Sequence, residues 1–175
     1  MTKTDQRTLA LVAFLLMMAS IGAAVAKADA PRIWLARAMV AECGWRPTNC
    51  HAAVAHVLQR RAEAQRVSLV SMIRRYCAGL GDGKANKRQK WIRELSDERM
   101  PASWPSASWA KHSEYWLSAL ELAGNFLIGE VPDPCEEPKP YHFGGLKLAS
   151  DVARMKGKGV ADCGYTGNQG FWRQR

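Results

Sequence analysis

Trp34-Leu35-Ala36-Arg37-Ala38-Met39-Val40-Ala41-Glu42-Cys43-Gly44-Trp45 is an apolar run that reads as a helix and ends on a carboxylate. Leu35, Met39 and Glu42 share one helical face, because residues three and four apart stack along the same side. The acid is therefore aimed where a core would be. Gly44 is a natural left-handed terminator, which leaves Glu42 in the last turn, where the negative end of the helix dipole disfavours ionisation. A carboxyl held there keeps its proton at neutral pH, as a general acid must. An acid at this position can also bend out to solvent or pair with an arginine, and position alone does not choose.

Outward from this helix the pattern stays helical. Thr48 or Asn49 can cap a second helix from about Cys50 to Gln65, with Ala53, Val54, Val57 and Leu58 as its apolar stripe and Arg61 at the charged border. The link from Gly44 to Asn49 is short, and helices so joined pack against each other. Ser68 caps a brief third helix through Leu69, Met72, Ile73 and Tyr76. Gly79-Leu80-Gly81-Asp82-Gly83 reads as a surface loop without the spacing of a phosphate-binding loop. Lys84 to Arg99 carries Trp91, Ile92 and Leu95 at helical spacing, and Pro101 and Pro105 bound a turn around Trp104. The longest helix runs from Ser108 or Trp109 to Ile128 and is ended by Gly129.

Val131 to Pro140 contains four prolines and is irregular. It delivers Tyr141-His142-Phe143-Gly144-Gly145, a strand or the rim of a cleft. A short helix near Leu148 to Met155 and a glycine-rich end with Phe171-Trp172 complete the chain. The expected fold is mainly α, with α+β as the alternative, in one small domain whose C-terminal third is loop-rich.

Residues 1–30 read as a secretory signal peptide. Lys3 and Arg7 precede an uncharged run from Thr8 to Ala26, and cleavage is expected after Ala30 or slightly earlier; the alternative is a retained anchor. Either way residues 31–175 are exported, to the periplasm, cell envelope or medium. The leader accounts for one of the nine net positive charges, and the remaining excess attracts polyanions. Anionic wall polymers and a membrane surface fit export better than nucleic acid does, and basicity alone does not choose among them. The five cysteines, Cys43, Cys50, Cys77, Cys135 and Cys163, fit two disulfides and one odd thiol in an oxidising compartment, with Cys135 and Cys163 as a candidate pair. No two cysteines lie two to four apart and the histidines form no closing pair, so zinc is not supported.

Several of these segments together resemble a known family. Leu35-Ala36-Arg37 to Ala41-Glu42, a short glycine-containing link, and then Ala52 to Arg61 resemble the opening of the bacterial cell-wall hydrolases that include spore-cortex-lytic enzymes. Ala123 through Gly129-Glu130-Val131-Pro132-Asp133-Pro134, followed by His142-Phe143, is similar to that family's later segment. The resemblance implies a lysozyme-like domain that cuts peptidoglycan glycan strands as a lytic transglycosylase or muramidase, acting as a monomer without metal or organic cofactor. Glu42 matches the family's acid. His142 and Phe143 match its His-aromatic pair and would line the cleft, while Tyr141 and Trp45 could offer platforms to sugar rings. Simple hydrolysis would call for a second carboxylate, with Asp133 or Asp151 as the candidates. Gly144-Gly145 replaces the family's usual residues after that pair.

Two other classes compete. Cys50 at a helix N-terminus, with His142 and Asn168 downstream, follows the order of a papain-like amidase or peptidase. Seven tryptophans and the basic charge also suit a non-catalytic exported wall binder.

Overall fold

The computed structural model describes residues 30–77, 79–80, 87–96, 99–137, 139–145, 161–164 and 169–172. The chain divides into Met1–Pro31 and Arg32–Arg175, and apart from residues 30 and 31 the described residues belong to the second unit. The leader, Asp151, Asn168 and the helix expected near Leu148 to Met155 lie outside the described residues.

Five helices and one antiparallel pair of strands are present among the described residues, so the domain is mainly α. Helix α1 covers 30–43, α2 Asn49–Gln65, α3 Leu69–Tyr76, α4 Lys87–Glu94 and α5 Ser106–Leu127; strands β1 His142–Gly145 and β2 Gln169–Trp172 come after them. None of these helices is long and apolar enough to cross a membrane.

Helix α2 is central because its sequence is apolar on more than one side. Cys50, Ala52, Ala53, Val54, Ala55, Val57, Leu58 and Ala62 are all buried, and α3, α5 and β1 pack on it. Its alanines let these neighbours approach closely, which a single apolar stripe would not achieve. Helix α1 adds Leu35, Ala36, Ala38, Met39 and Val40 to the same core, and α5 adds Trp116, Ala119, Leu120, Ala123 and Phe126, spaced as one helical face. Helix α3 contributes Met72 and Ile73, and Ile92 and Leu95 close the core from around α4.

The helix ends follow their local chemistry. Gly44 stops α1 at φ +93°, with its N–H still bonded to Val40 O at 3.0 Å. Helix α5 ends in a Schellman turn, in which Gly129 has φ +82°, Gly129 N–H reaches Phe126 O and Glu130 N–H reaches Asn125 O. Its start lies two or three residues before the sequence reading, because Pro105 serves as the cap and its carbonyl accepts from the N–H groups of Ser108 and Trp109.

The turn between α1 and α2 is closed twice. Cys43 and Cys50 form a disulfide across it. His51, fully buried, accepts from Thr48 N–H at Nδ1 (3.1 Å), so its ring proton sits on Nε2 and is donated to Gly44 O at 3.1 Å. This is the return half of a capping box, with histidine in the place usually taken by Glu or Gln.

Strand β1 pairs with β2 in the register His142 to Trp172, Phe143 to Phe171 and Gly144 to Gly170. His142 to Gly145 is thus a strand, and Phe171-Trp172, which sequence patterning leaves unassigned, is part of its partner. Two strands alone are marginal in water. These are supported by α2 and by the Cys135–Cys163 disulfide, beside which Glu136 N–H bonds Asp162 O at 2.9 Å.

Burial holds the His51 imidazole below its ordinary pKa, against the opposing effect of its bonds to Gly44 and Thr48. The unfolded chain therefore takes up the proton first, at about pH 6.5, and stability present above that pH is lost as pH falls toward the folded value. In denaturant unfolding, the wild type should lose stability between pH 7.5 and 5.5. His51→Gln should start lower at pH 7.5 and lose less over that interval.

Candidate active site

Glu42 lies in the last turn of α1, half-buried, one residue before the disulfide-bonded Cys43. Its carboxyl stands within electrostatic reach of Tyr76 and Cys77. These two residues end α3. Burial pushes the Cys77 thiol well above its ordinary pKa, and the nearby Glu42 pushes it the same way. Burial likewise raises the Tyr76 phenol, although the Arg61 charge and the Phe143 N–H oppose it.

Tyr76 connects the acid to the C-terminal strands. Its hydroxyl lies 3.0 Å from His142 Nδ1 and accepts the Phe143 N–H at 3.4 Å. Arg61 donates to the same Nδ1 at 2.9 Å and to Tyr141 O at 3.2 Å, while its guanidinium sits 3.8 Å from the centre of the Tyr76 ring. Because an arginine can only donate, Nδ1 of His142 is an acceptor and the ring proton belongs on Nε2. The opposite support is Trp172, stacked on the His142 ring at 5.5 Å and 15°. Phe143 is buried edge-on against Tyr76 at 4.9 Å, with Phe171 beyond it.

The structure thus gathers His142 and Phe143 around Tyr76, with Glu42 within its electrostatic reach. Tyr141 contributes through its backbone, which bonds Arg61 and, by its N–H, Trp172 O at 3.1 Å. Trp45 belongs to a different cluster. One face of its ring is stacked on His112 at 4.4 Å, and Trp104 meets it edge-on at 5.7 Å.

Asp133 is held as part of a clasp. Arg60 forms an ion pair with it, Cys135 N–H donates to it at 3.0 Å and Lys139 Nζ lies 3.9 Å away. The same Arg60 donates to Pro140 O at 2.9 Å, and His56 Nε2 donates to Val131 O at 3.0 Å. His56, Arg60 and Arg61, spaced along one side of α2, thereby carry the whole proline-rich loop up to His142. Segments 56–61 and 131–142 are thus in direct contact.

Of the cysteines, Cys135 pairs with Cys163 as the sequence suggests, and Cys77 is the odd thiol. The amidase reading of Cys50 requires correction, since its sulfur is bonded to Cys43 and offers no nucleophile. Among the described residues no group of three or more His, Cys, Asp or Glu side chains gathers where a metal could sit.

Arg61, Tyr76, Cys77 and Trp172 are absent from the sequence-based site. Arg61 reads only as a charged border and Tyr76 only as part of an apolar face. For Cys77 there is one signal, the odd number of cysteines, which announces a free thiol without saying which. Comparison with protein families, with curated proteins and with solved structures finds no match to this chain.

Burial alone would raise the Asp133 carboxyl, but the Cys135 N–H, the Arg60 charge and bond and the His56 charge outweigh it and hold the group below the usual carboxylate range. Its contribution to stability is therefore present above about pH 4 and is lost as pH falls through the folded value. Asp133→Asn should cost about 1 kcal/mol at pH 7, a figure reduced for partial exposure. In urea unfolding the deficit should shrink toward zero near pH 2.

Proposed function

We propose that this protein is an exported, lysozyme-like enzyme that cleaves the glycan strands of peptidoglycan, with Glu42 as acid and then base. One observation carries the reading. The half-buried carboxyl of Glu42 lies within electrostatic reach of Tyr76, and Tyr76 hydrogen-bonds His142, so the acid and the histidine of the hydrolase-like pattern are found near one residue although 100 positions separate them. Two disulfides suit an oxidising compartment outside the cytoplasm, and the basic charge suits an anionic wall.

In the proposed reaction protonated Glu42 gives its proton to the glycosidic oxygen as the bond from that oxygen to C1 breaks. Positive charge then develops at an oxocarbenium-like centre. The carboxylate so formed takes the proton from the sugar's own hydroxyl as that oxygen bonds to C1, which closes an anhydro ring and returns Glu42 to its acid form. No second carboxylate takes part. The engagement of Asp133 with Arg60 supports this one-acid route over hydrolysis with Asp133 as the base. His142, oriented by Arg61, Tyr76 and Trp172, is assigned to sugar contact on the facing wall.

Release of soluble glycan from purified sacculi tests this. Glu42→Gln, which keeps size and hydrogen bonding but cannot deliver the proton, should lower the rate by about 10²–10⁴-fold while the fold survives. Asp133→Asn should stay within about threefold of wild type, because the one-acid route asks nothing of it. A Glu42→Gln protein with full activity would contradict the assignment.

A further inference from the structure

The proposed proton transfers make no use of Arg61, yet its Nη1 donates both to His142 Nδ1 at 2.9 Å and to Tyr141 O at 3.2 Å. The Tyr76 hydroxyl, which accepts the Phe143 N–H, stands 3.0 Å from the same Nδ1. That nitrogen therefore faces a guanidinium, which can only donate, and a hydroxyl whose proton can turn toward it. A proton on Nδ1 would point at the Arg61 N–H. Turning the ring over would put a C–H there instead and give up both partners. Trp172, stacked on the ring at 5.5 Å and 15°, restrains its plane. Arg61 is itself placed by α2 and by Tyr76, whose ring centre lies 3.8 Å from the guanidinium carbon. Its neighbour Arg60 holds Asp133 and the Pro140 carbonyl just before the strand.

We propose that Arg61 is a positioning residue that makes the His142 ring a donor only, through Nε2–H, and thereby sets selectivity: His142 meets an acetamido or hydroxyl oxygen of the glycan and refuses the ammonium of a de-N-acetylated sugar. The proposal rests on His142 being a sugar contact, as assigned above. A neutral imidazole without such a neighbour exchanges its tautomers and can offer Nε2 as an acceptor to an ammonium. With Nδ1 engaged by Arg61, that exchange is closed. An N–H set against an ammonium leaves two donors unmatched, and a site that leaves polar groups unpaired discriminates more strongly than one that merely loses apolar contact.

The test joins a spectroscopic readout to a selectivity. In mature protein at neutral pH, ¹⁵N NMR of the His142 ring should show a bare Nδ1 and a protonated Nε2. Arg61→Met should give mixed tautomers, and Arg61→Lys, which still donates, should keep the wild-type one. Wild-type kcat/KM on soluble N-acetylated glycan fragments should exceed that on de-N-acetylated fragments by about tenfold or more. Arg61→Met should bring this ratio toward one, chiefly through KM on the de-N-acetylated fragments, with kcat on acetylated ones within about threefold of wild type, and Arg61→Lys should restore the ratio. Because Arg61 also supports Tyr141 and Tyr76, His142→Gln is a second probe that leaves Arg61 in place. Its amide places either a donor or an acceptor near the Nε2 position, so it should keep activity on acetylated glycan within about threefold while narrowing the ratio.

A wild-type ring protonated on Nδ1 would overturn the proposal. So would a folded Arg61→Met or His142→Gln protein that keeps the full wild-type ratio. Selectivity is also read as binding, from the shifts that each kind of fragment causes in the His142 signals of Glu42→Gln protein. Selective binding without any cleavage by wild type would sink the enzymatic reading and leave this one standing. Cleavage of both kinds of glycan at equal rates would sink this one alone.

Discussion

The segment from Val131 to His142 depends on a row of donors along α2. A segment with four prolines lacks four backbone N–H groups and cannot satisfy its carbonyls by regular pairing. His56, Arg60 and Arg61 supply the missing donors, to Val131 O, Pro140 O and Tyr141 O in turn. The result is a loop of irregular backbone held at fixed points on the most deeply buried helix. The His142–Gly145 strand, continuous with the end of that loop, inherits its rigidity.

The acid is fixed from the other side by independent means. Gly44 and the Cys43–Cys50 bond end α1 and tie it to α2 immediately after Glu42, while His51 closes the same turn with two hydrogen bonds. Two elements distant in sequence are thereby referred to one frame. Tyr76, the last residue of α3, bonds His142 and lies within electrostatic reach of Glu42. A candidate site assembled in this way keeps its geometry through the core, which is the condition the proposed acid would need to meet one glycosidic oxygen.

Much of this is legible in the sequence because it is local. The face shared by Leu35, Met39 and Glu42, the stop at Gly44, the cap at Thr48 and the end of α5 at Gly129 derive from spacing and from glycine's tolerance of positive φ. The disulfide between Cys135 and Cys163 is readable as well, since both lie in the part least able to build a core. Other features depend on contacts between residues 60 to 115 positions apart, such as Tyr76 with His142, Arg61 with His142, or Asn49 with Gly164. No periodicity announces them. Asp133 illustrates the difference. A carboxylate in an Asp-Pro turn reads equally as a reactant or as a partner for a cation, and only the position of Arg60 distinguishes the two. Trp45, close to the acid in sequence, turns to His112 and Trp104 for a reason equally invisible in one dimension.

The central claim is that the Glu42 carboxyl breaks glycosidic bonds. Mass analysis of the soluble products after purified mature protein acts on intact sacculi tests it most directly. Muropeptides with anhydro ends, present with wild type and missing with Glu42→Gln, are the predicted result. Intact glycan strands with only free peptides released would contradict it.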